Sequence, residues 1–401
     1  MRARARLLGF SAALLTGCSA ILGVNDVFYD PGATQGGDGG SSGTVGDGGS
    51  SGTVGDGATA GDGASSACGA DLQRDETNCG RCGHDCGGGK CAEGVCQPVL
   101  LAEGQRVAGL ATDGQMLYAT SYGGQQVLAI EKTPGLGSVK PIGGAIIAPM
   151  GVAVSGNTLY VTSERSSGSD GGLFRCTLPA CGTLTRITPL DFPRHLALTG
   201  SFVFVPTESG VTRVALDGSS PVVVAAYTQP FSVAADATHF YTVSLSNSVW
   251  RRLHDGGAET EMGPRPSANN YGFITAGDDR IVWAYVDEIS KKGQVLSALK
   301  SAPANRTTFT SVGAGSAGVA IDADSVYWSE MGTFTGDISA PVFANAGTLN
   351  MCPRAGCPSA GPTVLARGLR GAGQIVVDDK FVYYAELGSG SDGKISKVAK
   401  P

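Results

Sequence analysis

The sequence predicts an all-β chain in which one four-stranded sheet is repeated around a ring, and three observations carry that expectation. An aromatic marker recurs as Tyr118, Tyr160, Phe204, Tyr241, Trp283, Tyr327 and Tyr383, at intervals of 42, 44, 37, 42, 44 and 56 residues, the spacing of four-stranded repeat units. Five residues ahead of it stands Asp113, Asp236, Asp278, Asp322 or Asp378, with Ser155 and Thr199 in the other two copies. Eight ahead stands an apolar residue, Leu110, Val152, Leu196, Val233, Val319 or Ile375, the fifth copy being irregular around Phe273. The clearest copy is Gly318-Val319-Ala320-Ile321-Asp322-Ala323-Asp324-Ser325-Val326-Tyr327-Trp328-Ser329-Glu330. It reads as two short apolar strands joined by an acidic turn. The expected architecture is a seven-bladed β-propeller, or a six-bladed one if the irregular fifth or the long sixth copy is misread.

Composition agrees. The 401 residues include 62 glycines and only 16% charged side chains, with the glycines falling in a tail or at turns between β-branched and aromatic runs. A formal net charge of −6 and the absence of a basic stripe with interleaved aromatics give no footing for a nucleic-acid partner. No run of 18 or more apolar residues is present to span a membrane as a helix.

In chain order, residues 1–17 read as an export signal. Arg2, Arg4 and Arg6 precede a short apolar region at 7–15. The sequence Leu15-Thr16-Gly17-Cys18 resembles a bacterial lipobox. That resemblance implies cleavage before Cys18 and lipidation of Cys18, and Ser19 after it implies sorting to the outer membrane, on its periplasmic or cell-surface side. Several acyl chains on one cysteine anchor stably where one would not. Residues 18–30 form the anchor segment. Residues 31–67 are low-complexity Gly/Ser/Asp sequence in which Gly37 to Val45 recurs as Gly46 to Val54. Such a segment buries too little to offset its ordering entropy and is expected to be a flexible tether, spanning roughly 30–36 Å on average. The spacing lacks the nonapeptide of calcium-binding glycine/aspartate repeats.

Of 11 cysteines, lipidation of Cys18 leaves an even number for disulfides outside the reducing cytosol. Six fall in residues 68–97: Cys68, Cys79, Cys82, Cys86, Cys91 and Cys96. Their core, Asn78-Cys79-Gly80-Arg81-Cys82-Gly83-His84-Asp85-Cys86, resembles the cysteine-rich motif of the plant stigma-specific protein family, which implies a disulfide knot without an activity. A zinc site of Cys79, Cys82, His84 and Cys86 is the competing reading, but zinc sites usually draw two ligand pairs from separate turns. Six cysteines allow 15 connectivities, and the sequence does not choose among them. Two further pairs, Cys176/Cys181 and Cys352/Cys357, share one spacing where a third strand should turn into a fourth, and each is expected to clamp a hairpin tip.

From residue 98 to 401 each copy supplies four strands; in the second these are 151–154, 159–162, 173–176 and 183–187. The alternating apolar residues bury both faces between neighbouring blades. The recurring Asp suits a turn cap. The last copy has only three strands, at 374–377, 381–385 and 394–398, which leaves an open edge. Pro98-Val99-Leu100-Leu101-Ala102 belongs to no copy of its own and is expected to fill that edge and close the ring. The phrases Tyr327-Trp328-Ser329-Glu330 and Tyr383-Tyr384-Ala385-Glu386 resemble the Tyr-Trp-Thr-Asp repeats of receptor propellers and related bacterial NHL-type propellers. The resemblance implies a binding module for proteins or peptides and no chemistry.

On the face where second strands end stand Glu164, Glu208, Asp287, Glu330 and Glu386, with Arg194 and His195 arriving from the same side. An acidic rim there is suited to a divalent cation such as calcium or to a basic partner; the plainer reading is a set of solvated loop residues. The histidines His84, His195, His239 and His254 lie in no hydrolase or metalloprotease motif, and no Gly-x-Ser-x-Gly elbow, phosphate loop or His-Glu-x-x-His is present. The sequence therefore favours a monomeric envelope lipoprotein, anchored to the membrane by lipid, whose propeller binds a protein, peptide or glycan. A propeller lyase or metal-dependent hydrolase with its site at the central channel is the alternative, and a purely structural envelope protein a third.

Overall fold

The computed structural model describes residues 68–401 except 134–138, 228–229, 245–247, 264–269, 288–291, 336–341 and 389–391, with the backbone alone at 244, 270–271, 286–287 and 311–314. Cys18, its lipobox and the 31–67 segment lie outside the described residues. The described residues form a seven-bladed β-propeller with no α-helix among them.

Blade 1 comprises Val107–Thr112, Met116–Ser121, Gln126–Glu131 and Val139–Ile142, and blade 2 Pro149–Ser155, Thr158–Ser163, Gly172–Thr177 and Thr185–Pro189. Blade 3 is Ala197–Leu198, Phe202–Thr207, Gly210–Ala215 and Val222–Ala225; blade 4 is Pro230–Ala235, His239–Ser244, Val249–Leu253 and Thr260–Gly263. Blade 5 is Asn270–Ala276, Arg280–Asp287, Lys292–Leu299 and Arg306–Ala314. Blade 6 is Ser316–Ile321, Ser325–Glu330, Gly347–Pro353 and Thr363–Leu369, its extra length forming a hairpin of Phe334–Thr335 with Val342–Phe343 between second and third strands. Blade 7 is Ala372–Val377, Phe381–Glu386 and Lys394–Ala399, and its fourth strand is Val99–Glu103. That last pairing is antiparallel, with Val99 opposite Lys397 and Ala102 opposite Ile395. The ring is closed by its own beginning, as the apolar run at 98–102 requires.

All seven marker aromatics are buried, and each pairs with its blade's inner strand, from Ala111 opposite Tyr118 to Val376 opposite Tyr383. The fifth blade departs from the rule although its first turn has the same length, Ala276 pairing with Ile281 across it as Thr112 pairs with Leu117: its marker sits one position further along the second strand, so that Ile274 faces Trp283. Gly277, not Asp278, there makes the backbone bond to the second strand (Gly277 N to Arg280 O, 2.9 Å) that Asp113, Asp236, Asp322 and Asp378 make elsewhere. In those four blades the aspartate caps the turn and also takes the marker hydroxyl. Asp322 Oδ1 accepts from Asp324 N (2.9 Å) and Ser325 N (2.8 Å), and Oδ2 from Tyr327 Oη (2.8 Å). Three of these carboxylates also hold a lysine that follows the third strand of the next blade: Lys132 with Asp378 (2.8 Å), Lys300 with Asp236 (2.8 Å) and Lys400 with Asp322 (2.6 Å). Each lysine lies over its partner tyrosine's ring. Burial alone would raise these carboxyls, but the lysine, tyrosine and backbone donors outweigh it and hold them below the usual range.

Blades are also stapled through hydroxyls two residues after the marker. Thr120 Oγ1 donates to Met150 O (2.7 Å), Thr162 Oγ1 to Arg194 O (2.5 Å) and Ser329 Oγ to Gly373 O (2.7 Å), each from a fully buried side chain to the next blade's backbone. The inner strand must come close for this. A Cβ at Gly318 would stand 2.2 Å from Gly373 O, so glycine is required there. Thr162 Oγ1 also accepts from Gly151 N (2.8 Å). Thr162→Val, which keeps the shape and removes both bonds, is expected to cost about 1–3 kcal/mol in urea unfolding; a loss near zero would mean that packing alone joins blades 2 and 3.

The cysteine-rich module pairs Cys68–Cys82, Cys79–Cys91 and Cys86–Cys96. With its sulfurs in disulfides, the zinc reading of Cys79, Cys82, His84 and Cys86 is corrected, and His84 is placed by backbone instead. Its Nδ1 lies 2.6 Å from Cys79 O and its Nε2 2.7 Å from Lys400 O. The module rests on blade 7, its cystines packing against Ala399 and Phe381. Cys176–Cys181 and Cys352–Cys357 clamp the two hairpin tips.

Candidate functional site

The face on which second strands end (the upper face) carries most of the residues singled out in the sequence. Glu164 follows the second strand of blade 2, and Arg194 and His195 lead into the inner strand of blade 3. Backbone bonds fix both segments: Glu164 N donates to Ala148 O (2.9 Å) and Arg194 N to Pro206 O (2.9 Å). Arg194 Nε then stands 3.4 Å from Glu164 Oε1. The alignment is that of an ion pair without a hydrogen bond through Nε; Nη1 donates instead to Pro230 O (3.3 Å). Glu164 is 7% exposed and Arg194 5%. These are not solvated rim residues but a buried pair spanning two blades. Burial pushes the Glu164 carboxyl up to about 7, Arg194 opposing the rise.

His195 points into the ring. It is 9% exposed, and its imidazole meets Phe231 and Phe273 edge to face, each at 5.4 Å between centroids. Burial, and secondarily the Arg194 charge, lower it to about 4, so the ring is neutral at neutral pH. Its Nε2 is buried without a hydrogen-bond partner. It lines a cavity of about 150 Å³ at the ring's axis, walled by the inner strands and including Ser232, Phe273, Thr275 and Gln374.

The other acids are not gathered there. Glu208 is exposed. Burial pushes up the half-buried Glu330 carboxyl, which accepts from Trp328 Nε1 and Thr348 Oγ1, both at 3.4 Å. Glu386 Oε2 accepts from Arg370 N at 2.7 Å, capping the approach to blade 7. Asp287 ends its strand opposite Asn270, and its side chain lies outside the described residues. Among the described residues the one cluster of potential metal-ligand atoms is Cys79, Cys86 and Cys96, whose sulfurs are in disulfides. Among the described acids of the rim, Glu164, Glu330 and Glu386 are each engaged within the protein.

One feature of this face escaped the sequence reading. Phe192 is 41% exposed with φ +48°. Its position, twelve residues before the marker, is shared by Ala148 (φ +46°) and Gly371 (φ +66°). Blades 2, 3 and 7 thus share left-handed backbone there, and blade 7 adopts it with glycine. A phenylalanine preceding Pro193 is doubly unsuited to it. The glycine at that offset in blade 7 was the available signal. Phe192 N donates to Arg165 O (2.8 Å) and Asp191 Oδ1 accepts from Ser167 N (2.7 Å), and exposed Ile147 leads into blade 2 on the same face.

No protein-family profile matches the chain, and no curated protein matches it. Among solved structures it is similar to a streptogramin B lyase, with 12% identity, TM-score 0.53, and 73% of this chain covered against 93% of that one. It is similar to YCF48 bound to a D1 peptide, with 11% identity, TM-score 0.52, and coverage of 76% and 96%. It is also similar to the WD40 β-propeller domain of Doa1, with 8% identity, TM-score 0.51, and coverage of 75% and 95%. At such identities the likeness is one of fold: this chain is built as a β-propeller, in an architecture that serves both enzymes and binding proteins.

Proposed function

We propose that the chain is an exported protein, lipidated at Cys18 and held to the outer membrane by the 31–67 tether, whose propeller binds a protein, peptide or glycan on its upper face. The observation that carries the binding role is Phe192. A strained backbone costs about 1–3 kcal/mol, and here it presents an aromatic ring to solvent instead of to the core. Exposed aromatics of this kind serve as anchors at binding surfaces. Five disulfides support an oxidising compartment.

Asparagine tolerates left-handed backbone, so Phe192→Asn is expected to leave the melting temperature unchanged or slightly raised. The same change is expected to weaken capture on peptide and glycan arrays by about tenfold or more. Equal capture by both forms would remove the role of this face, and Cys18→Ala protein that stayed in the membrane fraction would remove the anchor. The second reading, a lyase or hydrolase at the channel, draws on the neutral, unpartnered imidazole of His195. It requires a turnover that disappears in His195→Gln while the fold persists.

A further inference from the structure

We propose that His84 is a proton-dependent latch between the cystine module and the propeller: as an imidazolium it fills a place that three other blades give to arginine, and losing its proton releases the module. Those three blades show what the place is. Arg175, Arg213 and Arg251 each stand on a third strand opposite the marker aromatic, Tyr160, Phe204 and Tyr241 respectively. Each guanidinium reaches the next blade and donates to the carbonyl just past its third strand: Arg175 Nη1 to Leu216 O (3.1 Å), Arg213 Nη1 to His254 O (3.1 Å) and Arg251 Nη1 to Lys300 O (2.6 Å). In blade 6 the residue opposite the marker Tyr327 is Met351, whose thioether has no hydrogen to donate. The carbonyl at the matching position is Lys400 O, just past the third strand of blade 7. His84 Nε2 of the module takes it instead, at 2.7 Å.

The substitute differs from the arginines in one respect: it can lose its charge, as a guanidinium does not. His84 Nδ1 lies 2.6 Å from Cys79 O, so both ring nitrogens face carbonyl oxygens, which only accept. A neutral imidazole carries one N–H and one lone pair, and only the imidazolium donates at both ends. In the neutral ring a lone pair confronts a carbonyl oxygen, either inside the module or across its seam with blade 7. The ring is half-buried and lines a cleft of about 360 Å³ between module and blades. The charges around it are mixed. Arg81 and Asp85 of the module line the same cleft, with Asp322 and Asp324 of blade 6 and Asp379, Lys380 and Lys400 of blade 7. Lys400 Nζ is itself held by Asp322 Oδ2 (2.6 Å). Beyond the His84 bond the module rests on the packing of its cystines against Ala399 and Phe381. Docked, it fixes the direction in which the chain enters the propeller; released, it pivots at Gln97-Pro98.

Release uncovers Cys79–Cys91 and Cys86–Cys96, which pack against the blades while the module is docked. Their reduction by a water-soluble phosphine therefore reads the released fraction, with Cys176–Cys181 of the same full-length chain as the reference. Relative to that reference, reduction should be about tenfold or more faster at about pH 8.5 than at about pH 5.5, the factor that one hydrogen bond to a charged group supplies. Nitrogen NMR of the histidine rings should show His84 protonated at both nitrogens while reduction is slow and at one once it is fast. Met351→Arg places in blade 6 the arginine of blades 2, 3 and 4 and leaves the module untouched. Its guanidinium should claim Lys400 O and speed reduction about tenfold or more at about pH 5.5, with the melting temperature of the propeller kept. His84→Leu should be reduced fast in acid and alkali alike. Equally slow reduction of the parent chain at the two pH values overturns the proposal. So does a Met351→Arg chain reduced as slowly as the parent in acid, or a His84 ring that loses its proton while the cystines stay protected.

Discussion

Replacing Arg194 with leucine is expected to destabilise the chain by about 3–5 kcal/mol at neutral to alkaline pH, because it strands the Glu164 carboxylate in the interior. The pH dependence identifies the cause. Glu164 has a folded-state value near 7, above its ordinary 4.5, so its contribution to stability is complete below about pH 4.5 and is lost as pH rises toward 7. His195 has the opposite sign: its folded-state value near 4 lies below the ordinary 6.5, so stability is lost as pH falls from about 6.5 toward 4. Between about pH 4.5 and 6.5 the two slopes oppose, and the intact chain should respond weakly. Without Arg194 only the weaker pull of the Arg165 charge checks the rise at Glu164, and the zone of loss extends above pH 7. Urea unfolding should therefore show a larger deficit at about pH 8.5 than at about pH 5.5, and Glu164→Gln in the same background should restore most of it. Equal deficits at the two pH values, or no rescue, would show that the guanidinium acts by packing alone.

Leu101→Asp is expected to cost more than about 4 kcal/mol, enough to open the ring in a large fraction of molecules. Leu101 is fully buried in a cluster that joins blade 7, through Tyr383, Ala385 and Ile395, to blade 1, through Val107, Leu117 and Leu128. A carboxylate there has no partner, and the strand carrying it is the one that closes the circle. Leu100→Asp is the control. Leu100 is only half-buried on the same strand, and its replacement should cost well under half as much. Limited proteolysis after residue 103 reports the opening directly. A Leu101→Asp chain as stable and as resistant as its Leu100→Asp counterpart would show that closure contributes little.

The fold was largely legible because its signals are local and repeated. A marker aromatic, an apolar partner and a capping aspartate sit within nine residues of each other, so periodicity alone revealed seven copies and the orphan strand at 98–102. The fifth copy misled at Asp278 because its marker Trp283 stands one strand position later than the others, so that counting back from it misses the capping slot at Gly277. Lys132, Lys300 and Lys400 were invisible as a set because each serves the preceding blade, across a boundary that spacing within one copy does not cross. The site was less legible for the same reason. Glu164, Arg194 and His195 were singled out as rim residues, but the sequence does not say that Arg194 turns back to bury Glu164. Nor does it say that His195 turns inward between Phe231 and Phe273. Gln374 looked like one more inner-strand residue. Only closure of the ring brings it to the same cavity as His195.

The seating of the cystine module beside the closing strand has a mechanical corollary. Tension applied upstream of Cys68 cannot simply unravel residues 68–96, since three cross-links limit their extension, and it meets a module wedged against Phe381 and Ala399. Only after that wedge yields does load reach Val99–Glu103, the strand whose loss would undo the circle. The module thus works as a strain relief, like the collar where a cable enters a housing.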